Sequence, residues 1–190
     1  MGMDKKFILI MVGMFLSSCA VLHEEYFYPR ASGATVEKKW CRGKVGVDNQ
    51  LIFSLSNVDV TLEVWEYNGV TRLGVSFNVS QGGAVVWPSQ TVIAFTDSRQ
   101  KEIKVNSFTR LRRVSGTDDL LKKDFPVNSV MNNSSLDEAE TYYESFEIPE
   151  KIIEEVKISE IRLLINGIEN VLSDLTFTKK TGLFLHPLNC

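Results

Sequence analysis

Two runs of this chain alternate with a period of two around an Asn-Gly pair. Val58, Val60, Leu62 and Val64 are apolar, and Asp59, Thr61 and Glu63 between them are polar. Leu73, Val75, Phe77 and Val79 repeat the pattern against Arg72, Gly74, Ser76 and Asn78. Successive side chains of a strand point to opposite faces. Each run therefore reads as a strand with one face on a core and the other in water. Asn68-Gly69 lies between the runs and accepts the positive φ that tight hairpin turns require, which predicts antiparallel pairing.

The same reading extends along the chain. Gln81-Gly82-Gly83 and Pro88-Ser89 mark turns, followed by a strand from Thr91 to Thr96 and another from Lys101 to Arg110. Ile161, Leu163 and Ile165 lead into Asn166-Gly167, a second hairpin signal, and Val171 to Thr178 follows with Leu175 and Phe177. Lys179-Lys180-Thr181-Gly182 reads as a turn into a last apolar piece, residues 183–188. Residues 115–143 break the alternation with Asn, Ser and Asp clusters and read as a long insertion. Ser135 with Glu138 has capping-box spacing, so a short helix is expected near 136–144. For residues 149–156 the pattern leaves helix and strand open. About eight short strands with regular turns imply a mainly β fold. The expected architecture is an antiparallel β-sandwich, immunoglobulin-like in layout, with a partly helical insertion near 115–157. The Cys…Trp…Cys spacing of true immunoglobulin domains is absent.

The beginning of the chain has a different character. Lys5 and Lys6 precede Phe7 to Leu16, an uncharged and mostly apolar run. A ten-residue helix spans about 15 Å, half a bilayer core, which suits the apolar region of a signal peptide better than a membrane span. Leu16-Ser17-Ser18-Cys19 follows. This segment resembles the lipobox of bacterial lipoproteins, in which a leucine and two small residues precede the cysteine that is modified. The resemblance implies a diacylglycerol on the Cys19 thiol, cleavage between Ser18 and Cys19, and acylation of the new amine. Ala20 in place of aspartate implies sorting to the outer membrane in Gram-negative members of the class. An ordinary secretory cleavage near Ser18 is the alternative. Stable anchoring takes more than one acyl chain, and three would hold the protein without a spanning helix.

Domain limits follow from that reading: 1–18 signal peptide, 19–33 lipidated tether, 34–190 one β-sandwich domain. Removing 18 of 190 residues leaves 172, enough for one sizeable core. An extended tether would keep the body within about 45 Å of the membrane. Tyr26, Phe27 and Tyr28 within it either touch the lipid interface or, the favoured reading, pack as the first strand or against the domain edge. The formal charge is −3, and removing Asp4, Lys5 and Lys6 makes it −4. Such a charge gives no electrostatic reason to expect nucleic acid or anionic lipid as a partner. With Cys19 acylated, Cys41 and Cys190 remain as an even pair in an oxidising compartment. A disulfide between them would close a long loop, worth about 5 kcal/mol at most. Two unpaired thiols, or a bridge between chains through Cys190, are the alternatives.

Residues that carry chemistry are few. His23 and His186 have no histidine partner at metal spacing, and no Cys-x-x-Cys occurs. No Gly-x-Ser-x-Gly elbow marks a nucleophile, and Gly82-Gly83 reads as a turn rather than a phosphate cradle. The acidic run Asp137, Glu138, Glu140, Glu144 and Glu147 lacks the spacing of a calcium loop and reads as a solvated helix face. Arg110, Arg112 and Arg113 read as a charged strand edge. Trp65 and Tyr67 fall on the outward side of their strand and form a candidate partner face, open or covered by the insertion. No catalytic residue, cofactor or metal site is expected. The expected role is a non-catalytic interaction or structural module. It would be anchored in the outer membrane through Cys19, face the periplasm, and have an envelope protein as its partner. The alternative is a periplasmic module that binds a small ligand or glycan.

Overall fold

A computed structural model describes residues 21–39, 46–88, 92–96, 101–104, 107–113, 120–126, 128–133, 139–148, 154–159 and 161–185. Every regular element among them is a β-strand, numbered here in chain order. The alternating runs form the expected hairpin. β4 (Val58–Tyr67) pairs with β5 (Val70–Val79) from Val58↔Val79 to Tyr67↔Val70. Asn68 and Gly69 turn the chain with φ of 50° and 76°, the left-handed pair of a two-residue hairpin loop. All eight apolar residues of the two runs are buried.

This hairpin is the middle of a seven-stranded sheet. On one side lie β3 (Asp48–Leu55) and β2 (Thr35–Lys38). On the other lie β12 (Glu140–Ile148), β9 (Ser107–Arg113) and β10 (Leu120–Pro126), giving the order β10-β9-β12-β5-β4-β3-β2. A five-stranded sheet runs β1 (Val21–Ala31), β16 (Leu175–Leu185), β13 (Glu155–Ser159), β7 (Val92–Thr96) and β8 (Lys101–Lys104). A four-stranded sheet runs β11 (Met131–Asn132), β6 (Ala84–Val86), β14 (Arg162–Ile165) and β15 (Ile168–Val171). The pairings within all three are antiparallel.

One hydrophobic core serves all three sheets. Leu62 and Phe77 of the large sheet, Val156 and Phe177 of the five-stranded sheet, and Val85 and Leu163 of the four-stranded sheet belong to a single cluster. Each large side chain so buried contributes about 1.5–3 kcal/mol relative to exposure. β1 packs on β3 and β4, which sets the five-stranded sheet against the inner face of the large one. Trp87, just after β6, is wedged edge-on between Phe77 and Phe146, with ring centroids 5.9 and 5.5 Å away. The arrangement is mainly β and sandwich-like.

Several expectations need correction. No helix occurs among the described residues of 115–157, where residues 120–126, 131–132, 140–148 and 155–157 are strand. In β12, Tyr142, Glu144, Phe146 and Ile148 are buried and alternate with more exposed neighbours, a period of two that a helix cannot serve. Ser135 and Glu138 lie outside the described residues. The span Lys101 to Arg110 is divided between two sheets, β8 in one and β9 in another. The second hairpin forms at Asn166-Gly167, but its returning strand is Ile168–Val171. Lys179-Lys180-Thr181-Gly182 is no turn: β16 runs straight through it, because Phe177, Lys179 and Gly182 all have partners across the sheet or the core.

Residues 21–31 of the expected tether are strand β1, paired with β16 at every position from Val21↔Leu185 to Ala31↔Leu175. Phe27 is buried, and Tyr26 packs edge-on against Phe184 at 5.8 Å between centroids. The packing reading of that aromatic cluster therefore holds. Gly182 leaves room for this contact, since a Cβ there would fall 3.0 Å from Tyr26 and 3.1 Å from Val47.

Candidate functional site

Trp65 and Tyr67 lie on the outer face of β4, as their parity predicts. Tyr67 ends the strand beside the Asn68-Gly69 turn and is 67% exposed. Trp65 is half-buried, and the cause is local. Its strand partner is Arg72, and its indole lies over Gly74, the next outward position of β5. A Cβ on Gly74 would fall 2.7 Å from Cη2 of Trp65 and closer still to Cζ3. The glycine is thus the floor on which the ring rests. Glu63, beside it on β4, accepts hydrogen bonds from Lys39 Nζ at 2.7 Å to each carboxylate oxygen, and from Gln50 Nε2 at 3.4 Å. Arg72 donates to Glu147 of β12 at 3.3 Å. The outer sheet face therefore carries the Trp65 ring bordered by two ion pairs, with the exposed Tyr67 on the same face.

A second charged cluster lies between the sheets and was not legible in the sequence. Position 179 of β16 continues the inward series of Leu175 and Phe177, and Glu66 continues that of Val60, Leu62 and Val64. The two meet where the core ends. Lys179 Nζ lies 3.1 Å from Glu66 and 3.0 Å from Glu25 of β1, with its ammonium over the Phe27 ring at 5.7 Å. Burial pushes the Lys179 ammonium down, but hydrogen bonds to Glu25 and Glu66 and their charge outweigh it and hold its pKa above the usual 10.5. Such a lysine is a fixed cation, unsuited to act as a nucleophile or base. Beside it, Glu25, Glu154, Thr178, Lys179, Lys180 and Thr181 line a groove of about 340 Å³. Lys180 caps the Tyr28 ring at 3.7 Å. Burial, with Asp48 and Tyr28 adding, raises the Tyr26 phenol above 10.0.

A third polar group sits inside the core. Glu144 is 3% exposed and accepts a hydrogen bond from Trp87 Nε1. The acidic run is consequently not one solvated face. Glu140 accepts from the Tyr142 hydroxyl at 2.7 Å, Glu144 is internal, and Glu147 points outward to Arg72. Nor is β9 a sheet edge, since β10 and β12 flank it. Arg110 stands opposite Glu144 and Arg112 opposite Tyr142 in the ladder. An acid at an inward position broke the apolar alternation and hid β12 from sequence reasoning.

Leu16, Ser17, Ser18, Cys19, Trp40, Cys41, His186 and Cys190 lie outside the described residues. His23 is exposed in β1. Among the described residues, no group of three or more His, Cys, Asp or Glu is placed to hold a metal ion. Nor is any helix there long and apolar enough to cross a membrane. Comparison with protein-family models, with curated proteins and with solved structures finds no match to this chain.

Proposed function

We propose that this protein is a lipid-anchored envelope protein, held in the outer membrane by acyl chains on Cys19 and acting as a non-catalytic interaction module towards the periplasm. The observation that carries the reading is Leu16-Ser17-Ser18-Cys19 after Lys5, Lys6 and a ten-residue apolar run. The sheets stacked on one core support an immunoglobulin-like sandwich as the architecture. The partner would be another envelope protein, met through the outer face around Trp65 and Tyr67. A Cys41–Cys190 disulfide belongs to the same proposal. Val47 lies against Gly182, so the segments that lead to the two cysteines start from neighbouring places.

The test is radiolabelled fatty acid in cells. The wild-type chain takes up label and stays with membranes, and Cys19→Ser does neither. Persistent labelling of Cys19→Ser removes the assignment. In the mature protein, denatured without reductant, a thiol reagent finds no free cysteine if the bridge is present. Trp65 on its glycine floor, flanked by Glu63, also supports a glycan-binding reading, since sugars stack on flat rings beside carboxylates. That reading requires a ligand-dependent rise in melting temperature that Trp65→Ala abolishes.

A further inference from the structure

We infer that the tip of the β1–β16 ribbon, around His23 and Leu183, is a membrane-contact surface that seats the domain directly on the lipid. The inference rests on the proposed acylation of Cys19 and adds where the body sits and which end faces the bilayer. Two residues of chain geometry carry it. Val21 already pairs with Leu185, so only Ala20 separates the first strand residue from Cys19. Consecutive Cα atoms are 3.80 Å apart, so the Cys19 and Val21 Cα atoms are within about 7–8 Å. Acyl chains in the bilayer then bring the ribbon tip to the headgroup layer. A flexible tether of 15 residues would leave the domain free to tumble, whereas this connection does not.

The tip has the chemistry for that position. Leu183 is 66% exposed, whereas Phe184 after it is buried against Tyr26. Leu183 pairs with His23, which is also exposed. The next residues of β1 are Glu24 and Glu25, both exposed. Their carboxylates limit immersion to the last two or three residue pairs, because a charge is costly to remove from water. At the opposite end of the ribbon, Ser173 Oγ donates to the Ser32 carbonyl at 2.6 Å and joins the chain leaving β1 to the chain entering β16. Eleven paired residues at about 3.4 Å each put that end about 35 Å further out. The Val171 side chain, 54% exposed, belongs to that distal end.

The experiment uses the full acylated chain, reconstituted in phosphatidylethanolamine–phosphatidylglycerol vesicles with or without brominated acyl chains. Leu183→Trp and Val171→Trp each add one indole at an exposed site, and the wild-type emission is subtracted. Bromine quenches only at short range. The expected result is that the added emission falls at least about two-fold for Leu183→Trp and is unchanged for Val171→Trp. Attached protein with equal quenching at both sites, or at neither, overturns the inference and leaves the anchor reading intact. A chain that carries no acyl group overturns both.

Discussion

At the scale of single residues, Gly74 and Lys179 hold opposite faces of the large sheet in order. The Trp65 ring uses the space that a missing Cβ leaves. Gly74→Ala must push the indole off the sheet. The expected outcome is a loss of about 1–2 kcal/mol in urea unfolding, as for other overpacked sites, with Trp65 emission shifted to the red. Unchanged emission would mean the ring does not rest there. Lys179→Met leaves Glu25 and Glu66 facing each other without their cation, and the expected cost is about 2 kcal/mol at neutral pH. The pH dependence has a definite sign. A lysine whose folded pKa lies above its unfolded value of 10.5 adds stability that is complete below 10.5 and is lost as pH rises through the folded value. The raised phenol of Tyr26 also favours the fold below its unfolded pKa of 10.0, so alkali weakens that site too. The comparison that isolates Lys179 is therefore wild type against Lys179→Met. The gap between their melting temperatures should narrow above pH 10.5 and stay constant from pH 6 to 9.

At the scale of elements, identical dipeptides do different work. Asn68-Gly69 and Asn166-Gly167 both turn a hairpin through left-handed residues, with φ of 50° and 51° at the asparagines. Asn68 stands at an exposed tip. Asn166 also accepts from the Ala84 backbone at 2.8 Å and donates to Asn57 Oδ1 at 3.0 Å. It thereby joins three turns from two sheets. Asn68→Ala should cost about 1 kcal/mol, the strain of a left-handed alanine. Asn166→Ala should cost about 1 kcal/mol more through the lost hydrogen bonds, read as a further fall in the urea midpoint. Both turns were legible because residue type alone signals positive φ. The clamp was not, since Asn57 and Ala84 are remote in sequence. The strands of 120–159 were hidden for a related reason. Glu144 reads as surface, yet it is internal and meets Trp87, so polarity pointed to the wrong side. Likewise Lys179 and Lys180 looked like a turn, while their ammonium groups are held by carboxylates and a ring.

At the scale of the whole molecule, the first and last strands are neighbours. Period-two patterning made the central hairpin and the class of the fold readable. It could not show that residues 21–31 belong to a sheet, because their partner is about 150 residues away and no local signal reports such a pairing. β16 lies between β1 and β13, so removing residues 175–190 strips both of a neighbour and takes Leu175 and Phe177 from the core. That truncation should abolish cooperative unfolding, monitored by near-ultraviolet circular dichroism. Retention of a cooperative transition would show that the five-stranded sheet closes without it. Trp65 and Tyr67 were placed on the correct face from parity alone, whereas the glycine beneath the ring emerges only from the register.

The pairing of β1 with β16 also dictates a timetable. Synthesis from the N-terminus produces residues 21–31 long before residues 175–185, so β1 is made well ahead of its partner. Loop closure over such a distance is slow compared with local hairpins. The β4–β5 hairpin can form early, but the five-stranded sheet closes only once residues 175–185 have been made. Until then β1 and β13 both lack the neighbour that β16 supplies to them.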